Sequence, residues 1–243
     1  MEVYAPIQVF KPVDDNIWIV DGPLISFKGL PFPTRMTVIR LQSGELFIHS
    51  PIELDDRLKQ EIDQLGPVKH LISPNRIHYW WVEEWSKTYP NAIKWAAPGS
   101  EEAAAKQGWR FDQKLVDTPD AAWMMEIDQL IVRGSRLLEE VVFFHKPSKT
   151  LILADLIENF ESNKVQSRFL SFLMKLAGNL DPDGKLPIDL RLGFLGRHAR
   201  LRESIKTLLS WQPEKIILAH GRWYPSNGTA ELKRAFRWVH GIN

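Results

Sequence analysis

The stretch that decides the fold is LLEEVVFFHKPSKTLILADLIENF, residues 137–160. Two apolar, β-rich runs, 141–145 and 150–154, flank a turn at 146–149, and this pattern predicts a β-hairpin. The second run ends on Asp155. A carboxylate at the exit of a strand buried on both faces needs a metal ion, a cation or hydrogen bonds to offset its desolvation. The simpler interpretation is that Asp155 caps the turn that follows.

Further strands and helices are predicted on both sides of this hairpin. Apolar or alternating runs predict strands at 16–21, 36–41, 45–49, 68–72, 92–97, 123–132 and 216–219. Helical spacing and end signals predict helices at 53–65, 98–108, 160–177, 195–209 and 229–239, and one that begins within 73–81. Three prolines and two glycines predict a loop at 22–33.

The order of these elements predicts an α/β (α+β) fold. The hairpins require antiparallel pairs, whereas the strand–helix–strand unit at 45–72 favours a parallel pair, so the sheets are mixed. We therefore expect a four-layer αββα sandwich of two mixed β-sheets with outer helices. Neither a repeat nor a linker interrupts the sequence, which favours a single domain over residues 1–243.

Composition excludes several classes of function. The net charge of +1 argues against a general polyanion binder, so we expect no nucleic-acid partner. The absence of cysteine excludes disulfides, thiolate metal sites and a cysteine nucleophile. No signal peptide, membrane-spanning run, phosphate-binding glycine loop or serine-hydrolase elbow is recognisable. We expect a cytoplasmic protein with a small-molecule ligand and no membrane partner, and the sequence leaves the oligomeric state open.

Potential metal ligands lie at the ends of four predicted strands. They are His49, His78, Asp155 and His220. Side chains at strand exits along one edge of a layered fold form the usual position for a site. Imidazole and carboxylate groups suit Zn, Fe and Mn. The alternative is that all four are turn and cap residues, with each imidazole bonded to the backbone.

Four segments resemble motifs of the metallo-β-lactamase fold, and more closely those of a divergent, uncharacterised family within it (DUF4336-like). They are LFIHSP (46–51), SPNRIHY (73–79), TLILADLI (150–157) and IILAHG (216–221). The resemblance runs in order from about residue 17 to 221. It implies that Asp155 matches the family's bridging Asp and His220 its final His, whereas His49 stands where the family has Asp.

The segment at 73–79 departs from the family's ligand-rich motif. Pro74 and Arg76 stand at the positions of its first two histidines, His78 at that of its Asp, and Tyr79 at that of its closing His. No histidine lies near 133–137, where the lone His would fall. The resemblance therefore implies a degenerate site in which the first metal has lost its ligands.

Two alternatives remain for the charge of Asp155. In one, His78, Asp155 and His220 bind a single divalent ion (Zn, Fe or Mn), and His78 and Asp155 also act in catalysis. In the other no metal is bound, and the guanidinium of Arg76 pairs with Asp155 in its place. Either way, we expect four further residues to contact substrate or support the site: His49, Asn75, Arg76 and Tyr79.

Two functions follow from these alternatives. The first is a mononuclear metal-dependent hydrolase that cleaves an ester, amide or phosphoester. The second is a catalytically inactive relative that serves as a ligand- or protein-binding module. Its recognition surface would then be the tryptophan-rich helix at 80–85 with Trp223 and Tyr224.

Overall fold

The computed structural model describes residues 1–27 and 29–242 and separates the chain into two compact units. The first unit is Val3–Val116, and the second is Asp117–Asn243 with Met1–Glu2. Each unit contains one mixed sheet, which confirms a mixed α/β class with two mixed sheets and helices. One domain over residues 1–243 stays a prediction. Within the described residues no helix is long and apolar enough to cross a membrane.

The first unit is built on a seven-stranded sheet whose strands lie in chain order. The strands are β1 (Phe10–Asp14), β2 (Ile17–Phe27), β3 (Leu30–Arg40), β4 (Leu46–His49), β5 (Val68–Ser73), β6 (Ile93–Ala96) and β7 (Gln113–Lys114). The helices are α1 (Asp56–Leu65), α2 (Val82–Thr88) and α3 (Ser100–Ala105). Neighbouring strands from β1 to β4 are antiparallel, and those from β4 to β7 are parallel. The predicted parallel pair around α1 is confirmed.

Helix α1 connects the parallel strands β4 and β5, and its ends and its buried face follow from the sequence. The side chain of Asp55 accepts a hydrogen bond from the N–H of Leu58, which caps the helix. Leu58 and Ile62 are fully buried against the sheet core. Gly66 ends the helix and donates its N–H to the carbonyl of Ile62. The helix therefore begins two to three residues later than predicted and ends where predicted.

The loop predicted at 22–33 is wrong apart from Lys28, which lies outside the described residues. Its residues form the far ends of β2 and β3, which pair from Leu24 with Pro33 to Phe27 with Leu30. Strand β4 pairs with β3 only from Thr37 onward, so among the residues that the structure describes the far end of β3 pairs with β2 alone. Proline is tolerated there because its missing N–H interrupts no ladder.

The second unit contains a four-stranded sheet in the order β11-β10-β9-β8. Its strands are β8 (Ile127–Val132), β9 (Glu140–His145), β10 (Thr150–Ile152) and β11 (Lys215–Ile217). Its helices are α4 (Arg168–Ala177), α5 (Ile188–Leu192), α6 (His198–Ser210) and α7 (Gly228–Ala235). The central hairpin is confirmed, since β9 and β10 pair antiparallel around a turn at 146–149. Strands β10 and β11 are parallel, and α4 to α6 lie between them in the chain.

In the second unit one helix prediction needs correction and one helix was missed. The helix predicted from 160 begins at Arg168, where Ser167 caps it by accepting from the N–H of Leu170. Residues 158–160 instead form isolated bridges, including one between Phe160 and Leu180. Helix α5 was not predicted, because five residues are too few to show helical periodicity.

Candidate functional site

Asp155 and His220 lie side by side beyond two parallel strands of the second unit. The ladder pairs Thr150 with Lys215 and Ile152 with Ile217, an offset of 65 residues that also separates Asp155 from His220. The imidazole Nε2 of His220 lies 3.3 Å from Oδ1 of Asp155, and both side chains are buried. Their predicted proximity at neighbouring strand ends is confirmed.

Glu140 holds the backbone at Asp155. Its buried carboxylate accepts hydrogen bonds from the N–H of Ala154 at 2.8 Å and of Asp155 at 2.7 Å. Charge-assisted bonds of this kind are about twice as strong as neutral ones. Glu140, which our sequence reasoning missed, therefore fixes the strand exit from which the Asp155 side chain projects.

His220 is fixed by its neighbours on the other side. Its ring stacks on Phe160, with centroids 6.4 Å apart and planes 20° from parallel. Its carbonyl accepts from the N–H of Asn159 at 3.3 Å. Gly221 follows with a φ of +95°, and a Cβ on it would lie 2.2 Å from the carbonyl oxygen of Asn159. Only glycine fits this turn, which explains why a histidine–glycine pair ends the strand segment.

A second carboxylate that the sequence did not single out lies near this pair. Burial raises the pKa of Glu158 to about 7; the charge of His220 opposes the shift, and that of Asp155 reinforces it. The amide Nδ2 of Asn179 donates to Oε2 of Glu158 at 2.8 Å. Asp155 thus shares its buried surroundings with two other acidic residues, Glu140 and Glu158.

In the first unit, the loop after β5 carries His78. Its Nδ1 lies 2.7 Å from the hydroxyl Oγ of Ser50, which follows β4. The side-chain oxygen of Asn75 accepts from the N–H groups of Ile77 and His78, and this turn holds the loop. Asn75 is fully buried, so its observed role is to support the His78 loop. The helix predicted to begin here begins instead at Val82.

His49 is buried and uncharged at neutral pH. Burial, followed by the charge of His78, lowers the pKa of the His49 imidazole to about 3. The neighbouring Ser50 adopts a left-handed φ of +54°, which turns the chain at the end of β4. Sequence reasoning selected His49 and missed Ser50, the residue that contacts His78.

Arg76 and Tyr79 line a cleft of the first unit. Arg76 is exposed, and the Tyr79 hydroxyl accepts from Nε2 of Gln107 at 3.1 Å. Arg76 and Asp155 belong to different units, so their predicted pairing stays a prediction. The same holds for the convergence of His78 with Asp155 and His220.

The predicted tryptophan recognition surface is wrong in two of its members. Trp85 is fully buried, and its Nε1–H donates to the carbonyl of Ile52 at 2.8 Å. Tyr224 is also buried, and its hydroxyl accepts from Arg234 at 2.9 Å. Trp80, by contrast, keeps 44% of its surface exposed.

In the second unit, Asp155 and His220 are suited to hold a metal ion together. His78 of the first unit offers an imidazole donor of its own. The distance between the donor atoms of Asp155 and His220 fits the role of ligands to one ion. Two ligands about 2.1 Å from one ion in tetrahedral geometry lie about 3.4 Å apart, close to the 3.3 Å between Nε2 and Oδ1. Neutral imidazole with carboxylate is also a donor set for Zn, Fe or Mn.

Comparisons with known proteins agree with this fold. A family model described as a domain of unknown function (DUF4336) matches residues 14–177. The DIM-1 metallo-β-lactamase structure is 15% identical, with a TM-score of 0.64 and 100% of both chains covered. Metallo-β-lactamase from Erythrobacter litoralis is 12% identical (TM-score 0.64, 98% of this chain and 99% of that one). FIM-1 from Pseudomonas aeruginosa, solved in a mono-zinc form, is 11% identical (TM-score 0.61, 99% and 97%). No curated protein matches the sequence.

Proposed function

Because the chain belongs to the family described as a domain of unknown function (DUF4336) and has the metallo-β-lactamase fold, we propose that it is a mononuclear metal-dependent hydrolase. The observation that carries the proposal is the buried contact of 3.3 Å between His220 and Asp155. Support also comes from FIM-1, a relative in fold that was solved in a mono-zinc form. The ion would be Zn, Fe or Mn, held by His78, Asp155 and His220.

The roles of these residues follow from their chemistry. Asp155 supplies a negative charge and an oxygen donor, and His220 supplies a nitrogen donor beside it. His78 is the third ligand by its place in the motif at 73–79. A bound divalent ion would supply Lewis-acid activation of water and of the scissile bond.

The supporting residues keep these donors in position. Glu140 fixes the backbone from which Asp155 projects. When Nδ1–H of His78 donates to Ser50, the lone pair of its Nε2 is left for a ligand role. His49 stays neutral and adds no positive charge beside His78 at neutral pH.

Metal content of the purified chain tests this function. After growth with Zn, Fe and Mn supplied, we expect about one ion per chain. We expect His78→Ala, Asp155→Ala and His220→Ala to lose it and the exposed His240→Ala to keep it. Hydrolysis assays on ester, amide and phosphoester panels then follow with the loaded protein.

The Arg76 alternative gives the opposite pattern. If Arg76 replaced the metal, the parent would hold no ion. Arg76→Ala would then leave the buried carboxylate of Asp155 unpaired and lower the free energy of unfolding by about 3–5 kcal/mol. If the metal is present, Arg76→Ala keeps the ion and the stability. A parent chain without metal after growth in all three ions would overturn the proposal.

A further inference from the structure

A cleft lies wholly within the first unit, beside the loop that carries His78. Its volume is about 660 Å³, within the range of roughly 300–1,000 Å³ usual for small-molecule sites. The loop at 76–80 forms one wall, and helix α3 with the residues that follow it forms another. Phe27, at the end of β2, also lines the cleft.

The walls offer aromatic surface. Trp80 keeps 44% of its surface exposed, although an indole gains from burial. Tyr79 is held in place by two neighbours, because its hydroxyl accepts from Gln107 and its ring lies 6.1 Å from that of Trp109. These rings, with Phe27, suit a planar apolar group.

The cleft also carries excess positive charge. Arg76 and Lys106 line it, and neither forms an ion pair with a described residue of the first unit, 3–27 and 29–116. Glu102 is the acidic lining residue, and its charge acts in part on Lys114, which is outside the lining. The planar guanidinium of Arg76 matches the geometry of a carboxylate, sulfonate or phosphate.

A glycine in the lining of the cleft lies close to Arg76. Gly99, the residue before α3, has a φ of +83°, and a Cβ on it would lie 3.3 Å from Cβ of Arg76. A side chain there would crowd Arg76 and occupy the space between the loop and the helix.

We propose that this cleft binds a small anionic molecule with an aromatic or otherwise planar apolar body. As a binding site it stands on the residues of the first unit alone. As the substrate class of the hydrolase it rests on the proposed function, since Arg76 and Tyr79 flank the candidate ligand His78 in the chain.

A matched pair of probes tests the proposal on the full, metal-free chain. The probes are 8-anilinonaphthalene-1-sulfonate, which is anionic and aromatic, and N-phenyl-1-naphthylamine, its neutral counterpart. We expect Arg76→Ala to weaken binding of the sulfonate at least about threefold and to leave the neutral probe unchanged. Arg76→Lys should restore part of the loss, and Trp80→Ala should weaken both probes.

Two controls separate the cleft from other surfaces. Arg110→Ala removes an exposed cation outside the cleft and should change neither probe. Phe169→Ser removes an aromatic ring that is 71% exposed on α4 in the other unit, so it reports any binding of the probes there. Melting temperatures equal to that of the parent show that each variant is folded.

The outcomes distinguish the cleft from the hydrolase. Unchanged sulfonate binding in Arg76→Ala and Trp80→Ala, or an equal loss in Arg110→Ala, would overturn the cleft proposal. Arg76-dependent binding in a chain that takes up no metal would support the cleft and overturn the hydrolase. Metal uptake without Arg76-dependent binding of the sulfonate would support the hydrolase and overturn the cleft proposal.

Discussion

Glu140 lies directly opposite Asp155 across the central hairpin and accepts its backbone N–H at 2.7 Å. The ladder runs from His145 with Thr150 to Phe143 with Ile152, and the same register counted three residues further sets Glu140 against Asp155. Glu140 also accepts from the N–H of Ala154, so one buried carboxylate satisfies two donors where the strand ends. The position of Asp155 thus depends on a charge in the neighbouring strand.

Glu140→Gln should therefore weaken both the fold and the site. The amide keeps one acceptor oxygen but turns an NH₂ group toward the second backbone N–H. We expect a loss of about 1.5–3 kcal/mol in the free energy of unfolding, measured with urea. Metal affinity should fall roughly 10–100-fold, because Asp155 loses its support.

The adjacent Glu139→Gln is the matched control. Glu139 is half-buried and accepts a single bond from the N–H of Gly134 at 3.2 Å. We expect its effect on stability to be smaller and its effect on metal affinity to be absent. Equal effects of the two variants on metal uptake would contradict the role given to Glu140.

Asp21 and Arg35 form a buried ion pair in the first unit, at 2.7 Å. Arg35→Met removes this cation and leaves the buried Asp21 carboxylate with the partly exposed Lys11, whose Nζ also lies 2.7 Å away. We expect a loss of about 3–5 kcal/mol in the free energy of unfolding. Lys11→Met should lose about 1 kcal/mol or less. Urea unfolding of the two variants side by side checks the difference, and equal losses would contradict it.

Part of the candidate site could be predicted by counting along the sequence. The turn at 146–149 sets a register in which Glu140 faces Asp155, so this pair could be found within residues 137–160 alone. The contact between Asp155 and His220 is different. It depends on the parallel pairing of β10 with β11, which α4, α5 and α6 separate in the chain. Local sequence patterns do not encode which distant strands pair.

The wrong loop prediction and the missed Ser50 also come from contacts between segments that are distant in the sequence. Prolines and glycines made residues 22–33 resemble a loop. In the described part of the chain, the outer half of β3 pairs with β2 on one side alone, and such an edge tolerates proline. Ser50 gave no signal in the sequence, because its contact with His78 joins the ends of two strand segments. Local chemistry thus predicted the strand ends, while contacts between distant segments were decided by tertiary packing.

Glu158 makes stability depend on pH. Its pKa is about 7 in the folded chain against an ordinary value of 4.5, so the folded state binds more protons between these values. The contribution of Glu158 to stability is therefore present below about pH 4.5 and is lost as the pH rises through 7. Glu158→Gln stays neutral and should remove this loss. At pH 8 the metal-free variant should exceed the parent by on the order of 3 kcal/mol, with little difference at pH 4.5.

Urea unfolding at pH 4.5 and pH 8, in the presence of a chelator, measures this effect. Glu203→Gln on α6 is the control, because the side chain of Glu203 is 72% exposed and its ion pair is with Lys206 in the same helix. It should change stability little at either pH. A Glu158→Gln variant whose advantage is the same at both pH values would contradict the raised pKa.

Ser50 should act on metal binding through the orientation of His78. The hydroxyl lies 2.7 Å from Nδ1, and without it the ring loses the partner that fixes its tautomer and rotation. We expect Ser50→Ala and Ser50→Gly to weaken metal affinity alike, by roughly 10–100-fold. Competition with a metal indicator dye measures both.

The two variants differ in stability, and this separates positioning from damage to the fold. Ser50 has a φ of +54°, which glycine adopts without strain and alanine does not. Ser50→Gly should therefore be more stable than Ser50→Ala by about 1 kcal/mol. If metal affinity followed this order, with Ser50→Gly close to the parent, the hydroxyl would have no role in orienting His78. Equal loss of affinity at unequal stability would assign that role to the hydrogen bond itself.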